Sequence, residues 1–254
     1  MNLQLNGLTA LVTGASRGIG AATAVALAKA GASRVVLHYN SYRGGAEEAL
    51  SCVRKSGADG ELIQADLGED AGIRAFLEKL AGTGAAVDIL VNNAGSLVER
   101  ARLAQYTPEL FDRVINLNVK SAWFIAQAVA SGMIERRRGF IVNVGSIAAR
   151  NGGGIGATIY AGAKAAISAI TKGLAKELAP HGVRVNAVSP GTVDNDFHAR
   201  FSTRQILDSV VAATPAGKLG TNEEVADTIV FLCSDAARFI YGQTIEINGG
   251  MFMA

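Results

Sequence analysis

The sequence predicts an α/β chain: one doubly wound, mostly parallel seven-stranded sheet with helices on both faces. Three observations predict it. Short Val/Ile/Leu-rich runs recur, several of them apolar through consecutive positions, as expected of parallel strands buried on both faces. Ala/Leu/Glu/Lys-rich stretches separate them, and strand–helix alternation builds a layered sheet. No composition shift, repeat or linker divides residues 1–254, and there are only four prolines. A single domain is therefore expected.

Element by element, a strand over 9–13 leads to a helix over 18–30, 34–38 to 44–56, and 61–65 to 69–81. The strand over 89–92 precedes one long helical stretch, 108–136, and that over 140–144 precedes 158–179. After the strand at 184–189 comes a segment, 190–220, mixing Asp, His, Phe and Arg. It reads as short helices forming a lid over a pocket. A helix over 222–234 and a strand over 244–247 complete the chain.

Composition excludes several classes. With 49% hydrophobic and 18% charged residues, the chain is not disordered. The 24 basic and 22 acidic residues leave a charge of +2, and the one dense basic run is Arg136-Arg137-Arg138, so no nucleic-acid partner is expected. No apolar run approaches the ~20 residues that span a bilayer. Residues 1–6 lack the basic and apolar regions of a signal peptide, so a cytoplasmic location is expected. Cys52 and Cys233 have no clustered partners, and His38, His181 and His198 are not spaced as ligands; neither a disulfide framework nor a metal site is expected. Trp123 and Phe124 read as core or subunit contacts, and Asn143 as a residue that satisfies backbone at a sheet end.

Glycine is in excess, at 30 residues, and its placement is informative. The first strand runs into Thr13-Gly14-Ala15-Ser16-Arg17-Gly18-Ile19-Gly20, which opens a helix. Glycines here permit a tight turn and close approach of backbone N–H groups to a phosphate, reinforced by the helix N-terminus. Strand, glycine turn and helix at the start of an alternating sheet are the context of a Rossmann dinucleotide site. The turn lacks the Gly-Lys-Ser/Thr of NTPase loops. The second strand ends Leu37-His38-Tyr39-Asn40-Ser41, with no carboxylate to hold a ribose 2′-OH, while Arg17 and Arg43 supply positive charge. NADP(H) is therefore expected over NAD(H).

Tyr160 and Lys164 stand four residues apart and share one helix face. A phenol of pKa near ~10 exchanges protons poorly at neutral pH, and a nearby ammonium is expected to lower it.

Together with Asn92-Asn93-Ala94-Gly95, Ser146, Pro190-Gly191 and Gly242-Gln243-Thr244…Asn248-Gly249-Gly250, these motifs resemble the short-chain dehydrogenase/reductase family along essentially the whole chain. The resemblance implies hydride exchange between a nicotinamide and a carbonyl or secondary alcohol. It implies that Tyr160 is the proton donor, that Ser146 bonds the same substrate oxygen, that Lys164 tunes Tyr160 and holds the ribose, and that Asn118 supports a proton path. It further implies a cofactor set of Gly14, Ser16, Arg17, Gly18, Ile19, Gly20, Asn40, Arg43, Asp66, Leu67, Asn92, Ala94, Gly95, Tyr160, Lys164, Pro190, Gly191 and Val193, with Asp66 at the adenine. Asn195 stands where the family carries a threonine. The glycine-rich loop 145–156 leaves substrate shape open.

Within the family the pattern is most similar to 3-oxoacyl-carrier-protein reductases, which implies an acyl-thioester substrate and an acyl carrier protein as partner. Arg137 matches one of the two basic docking positions; His181 replaces the arginine of the other. Sugar, polyol and small-ketone dehydrogenases share the same motifs. A non-catalytic NADP(H) sensor would have little reason to keep Ser146, Tyr160 and Lys164 together. The family also implies a homotetramer, assembled through the 108–136 and 158–179 helices and the last strand.

Overall fold

The computed structural model describes residues 3–253; Met1 and Asn2, which open the N-terminal stretch read above, and Ala254 lie outside the described residues. The strands are β1 (Thr9–Val12), β2 (Arg34–Tyr39), β3 (Asp59–Gln64), β4 (Ile89–Asn92), β5 (Gly139–Val144), β6 (Val183–Pro190) and β7 (Thr244–Ile247). They form one sheet in the order β3-β2-β1-β4-β5-β6-β7. Every pairing is parallel. In the central register Leu11 of β1 lies opposite Val36 on one side and Leu90 on the other.

Side-chain alternation along each strand divides the core in two. Ala10 and Val12 of β1 and Val35 and Leu37 of β2 pack on one face with α1 (Gly18–Lys29), α2 (Arg43–Lys55) and α10 (Asn222–Cys233). Leu11 and Val36, the intervening residues, pack on the other with Phe76 of α3 (Asp70–Gly82) and Ile125 of α5 (Ser121–Glu135). This is why the strands read as unbroken apolar runs: both faces are covered. Fully burying one such side chain contributes about 1.5–3 kcal/mol.

The 108–136 stretch is not one helix. It comprises α4 (Pro108–Ile115), a π-turn over Asn116–Lys120, and α5. Asn118 accounts for the interruption: its Nδ2 donates to Val114 O at 2.9 Å and to Ser96 O at 2.8 Å. A buried amide bonding backbone on its own helix and on a neighbouring segment competes with the regular ladder. Four further helices surround the carboxyl ends of the strands: α6 (Ala148–Asn151), the 21-residue α7 (Thr158–Leu178), and then α8 (Asp196–Phe201) with α9 (Arg204–Ala213) inside the 190–220 segment. Asn195 caps α8 and Thr203 caps α9. A parallel bridge between Val193 and Gly220 closes the base of this excursion.

Candidate active site

The strand order reverses between β1 and β4, so the loops leaving their carboxyl ends diverge and open a crevice. A cleft of about 690 Å³ lies there. On one wall is the glycine turn. Gly14 and Gly18 have φ of 64° and 57°, the left-handed region that favours glycine. At Gly20 a Cβ would lie 2.2 Å from Gly14 O, so the turn can close on the helix only without a side chain. Two residues outside the predicted set hold the turn. Asn93 Nδ2 donates to Thr13 O at 2.8 Å and Gly14 O at 3.0 Å. His38 Nδ1 accepts the Gly14 N–H at 3.0 Å, while its Nε2 lies 3.1 Å from Ala65 O. Burial pushes the His38 pKa down to about 4, so the ring is neutral with its proton on Nε2. The sequence offered no metal spacing for His38, and its position at the end of β2 was the available signal for this role.

Arg17 projects from the turn with its guanidinium 4.2 Å above the Tyr42 ring and Nη1 3.3 Å from Asp196 of α8. Ser16, Gly18, Ile19, Asn40, Leu67, Ala94, Gly95, Pro190, Gly191 and Val193 also line the cleft. Arg43, Asp66, Asn92 and Asn118 do not. Arg43 is exposed on α2 and bonds Glu47 at 2.7 Å. Asp66 bonds Arg113 at 2.7 Å; burial alone would raise its pKa, but the Gly68 N–H and Arg113 outweigh that and hold the carboxyl below its ordinary value. Asn92 is buried and donates to Ala122 O and Asn143 Oδ1. Asn143 in turn donates to Thr171 Oγ1 at 2.9 Å, so it ties side chains across the sheet and is not a satisfier of backbone, as the sequence had suggested. Asn195 sits over Gly18 and bonds Asn222 at 3.0 Å.

At the centre of the cleft, β5 delivers Ser146 and α7 delivers Tyr160 and Lys164. Ser146 stands beside the Tyr160 phenol, favours its ionised form, and accepts the Ala148 N–H at 3.1 Å. Lys164 Nζ lies 5.7 Å from the Tyr160 ring centroid and donates to Val144 O at 2.8 Å. Asn118 stands one layer behind: a Cβ on Gly95 would meet Asn118 Oδ1 at 2.7 Å and Lys164 Nζ at 2.8 Å, so a glycine is needed between them.

The electrostatics correct one expectation. Tyr160 opens part of its surface to the cleft, yet protein crowds it, and burial pushes its pKa up to about 12 against the opposing effect of Ser146. Burial also pushes Lys164 down to about 8. Desolvation therefore outweighs the pull of the ammonium, and the phenol is firmly protonated at neutral pH. Such a group can donate a proton to an alkoxide, which is more basic still.

The family model described as Enoyl-(Acyl carrier protein) reductase matches residues 14–252. The chain belongs to the short-chain dehydrogenase/reductase family. It is an oxidoreductase of that family. The 3-oxoacyl-[acyl-carrier-protein] reductase FabG of Escherichia coli (strain K12) is 38% identical to it over 251 residues, covering 99% of this chain and 100% of the relative. The 3-oxoacyl (acyl-carrier-protein) reductase of Agrobacterium tumefaciens C58, solved with NADP bound, superposes with a TM-score of 0.89 at 34% identity, covering 98% and 96% of the two chains. A gluconate 5-dehydrogenase from Burkholderia cenocepacia J2315, solved with NADP and tartrate, superposes at 0.88 with 32% identity, covering 98% and 97%. Fold and chemistry class are common to these neighbours, whereas their substrates differ. Around Ser146, Tyr160 and Lys164 of this dehydrogenase/reductase, the parts of the cleft that sequence reasoning did not assign include Phe197, whose ring lies 5.9 Å from that of Tyr160, and Arg100 and Arg200 beyond it.

Proposed function

We propose that this enzyme interconverts a carbonyl and a secondary alcohol with NADP(H), and that its substrate is a 3-oxoacyl thioester. The observation that carries the reading is the meeting of Ser146, Tyr160 and Lys164 in the cleft that also contains the glycine turn. Tyr160 gives its proton to the substrate oxygen, Ser146 bonds that oxygen, and Lys164 places positive charge behind the phenol. The cradle fits a dinucleotide: with no Cβ at Gly20 the turn closes against the helix at Gly14 O, and the helix opening at Gly18 presents its N-terminal N–H groups. Bound there, the nicotinamide would supply or accept the hydride. Arg17, half exposed at the cleft wall where β2 ends without a carboxylate, supports NADP(H) over NAD(H).

Full-length likeness to carrier-protein reductases supports the thioester. A second reading, a sugar, polyol or small-ketone dehydrogenase, is favoured by the basic run. Arg136 and Arg138 are both paired with Asp88, leaving Arg137, bonded to Pro180 O beside His181, as the free charge for an acidic partner. We further propose a homotetramer, supported by exposed Phe111, Trp123 and Phe124 on α4 and α5, with the 190–220 segment acting as lid. Free Cys52 and Cys233 accord with a cytoplasmic location. The test is NADPH oxidation, followed by absorbance, against acyl-carrier, acyl-thioester, ketose and small-ketone substrates. Turnover of any of them supports the oxidoreductase reading, and the rank order decides the substrate; no turnover of any, with NADPH bound, would overturn it.

A further inference from the structure

The wall of the cleft beyond Tyr160 is positively charged in a way the hydride chemistry does not require. Asp196 is the one carboxylate among the residues lining the cleft, and Arg17 engages it on the glycine-turn side. On the other side stand Arg100 and Arg200, and neither has a carboxylate partner among the described residues. Their bonds go to backbone carbonyls and cross one another. Arg100, from the segment after β4, donates Nε to Phe201 O at 2.8 Å and Nη1 to Ile155 O at 2.9 Å. Arg200, from α8, donates Nη2 to Val98 O at 3.4 Å in the segment that carries Arg100.

Carbonyl partners aim a guanidinium without neutralising it. Arg100 Nη2 and Arg200 Nε and Nη1 remain as donors, and a planar fork of this kind matches a carboxylate with two parallel bonds. His198, which also lines the cleft, is kept neutral by burial and by the Arg100 charge, against the pull of Asp194. The reacting centre is close by. Phe197 packs on Tyr160 and, with ring centroids 5.1 Å apart, on Phe201, whose carbonyl Arg100 holds.

We propose that Arg100 and Arg200 form a carboxylate-binding subsite that admits a short-chain oxo or hydroxy acid as a further substrate, holding its carboxylate while its reacting oxygen meets Ser146 and Tyr160. The inference rests on the carbonyl–alcohol oxidoreductase reading and adds an acid to the thioester. A phosphate on a carrier arm would present the same kind of charge, but it is separated from the thioester by the pantetheine chain, whereas these arginines line the same cleft as Tyr160, one aromatic layer beyond it.

The test is equilibrium binding of tartrate and of its uncharged diamide to the NADP⁺-loaded protein, by calorimetry. It compares the wild type with Arg200→Gln, which loses the 3.4 Å contact to Val98 and the placement of the guanidinium 5.0 Å from the Phe201 ring centroid, and with Arg100→Lys, which keeps the charge but not the fork. Thermal melts of each variant check folding. Tartrate should bind the wild type roughly 10- to 150-fold more tightly than the diamide, the range of one charge-assisted bond. Arg200→Gln should remove about tenfold or more of that preference, and Arg100→Lys part of it. Equal affinity for both ligands in the wild type, or an unchanged preference in both variants, overturns the subsite. NADPH turnover of a 5-oxohexonate, an uncharged ketohexose, a coenzyme A thioester and a neutral N-acetylcysteamine thioester separates the two readings. If no carbonyl compound turns over yet tartrate preference depends on both arginines, the oxidoreductase reading fails and the subsite stands. If ketohexose and hexonate are reduced equally and tartrate is not preferred, the subsite fails and the oxidoreductase reading stands. Preference for the coenzyme A thioester over the neutral one, with the hexonate ignored, assigns the anion to phosphate and overturns the acid.

Discussion

Arg17 Nη1 lies 3.3 Å from the Asp196 carboxylate, joining the glycine turn to the first residue of α8. An incoming 2′-phosphate would compete with Asp196 for this guanidinium, which lies over the Tyr42 ring 4.2 Å from its centroid. Both side chains are about half exposed, so the pair itself is worth at most about 1 kcal/mol. On the proposed NADP(H) reading, exchange for a dianionic phosphate would be favourable.

Arg17→Ala should weaken NADPH roughly 10- to 150-fold while leaving NADH within a few-fold, from the ~1.5–3 kcal/mol of a charge-assisted bond. Asp196→Asn should act in the opposite direction, tightening NADPH by up to about fivefold. Titration of both cofactors by fluorescence measures each. Equal losses of the two cofactors in Arg17→Ala would mean that the residue shapes the turn and does not read the phosphate.

Tyr160→Phe should lower turnover by about 10²–10⁴-fold, the usual loss for a general acid, with NADPH affinity retained. The reductive rate should also fall above about pH 8, where Lys164 sheds its proton, and Lys164→Met should abolish that limb. A pH profile flat from 6 to 10 in the wild type would remove Lys164 from the chemistry.

His38 makes stability depend on acid. Its folded pKa of about 4 lies below the ordinary 6.5, so the unfolded chain binds the proton first as pH falls. The stabilisation is full above about pH 6.5 and is lost progressively down to pH 4, to a total of about 3 kcal/mol. Denaturant titrations between pH 7 and 4 should show a shallower slope for His38→Asn than for the wild type. Some slope remains, because His198 is depressed to about 4 as well. Identical slopes would show that burial does not hold the His38 ring neutral in the folded chain.

Arg137→Glu separates the partner readings. If an acidic carrier protein docks, kcat/KM for its acyl form should fall several-fold while a small thioester is unaffected, and salt should shrink the gap because the Debye length is only about 8 Å at physiological strength. A mutant indistinguishable from wild type at low salt would remove this face as the docking surface.

What the sequence by itself determined was the sheet and the chemistry placed on it. The runs at 89–92 and 244–247 are β4 and β7 residue for residue, and the others shift by one or two positions: central β4, covered on both faces, is a buried run, whereas half-buried edge strand β7, Thr-Ile-Glu-Ile, alternates. The spacing of Tyr160 and Lys164 was legible because a helix alone brings them to one face, and the glycine turn because its conformation is local. Tertiary structure decided the rest. Arg17 and Asp196 lie 179 residues apart, and Arg100 meets Phe201 across 101; no local pattern encodes such contacts. The split of 108–136 at Asn118 depends on Ser96 in another segment. The direction of the Tyr160 shift depends on how much protein surrounds the phenol, and burial is a property of the packed sheet and its loops, to which every distant segment contributes.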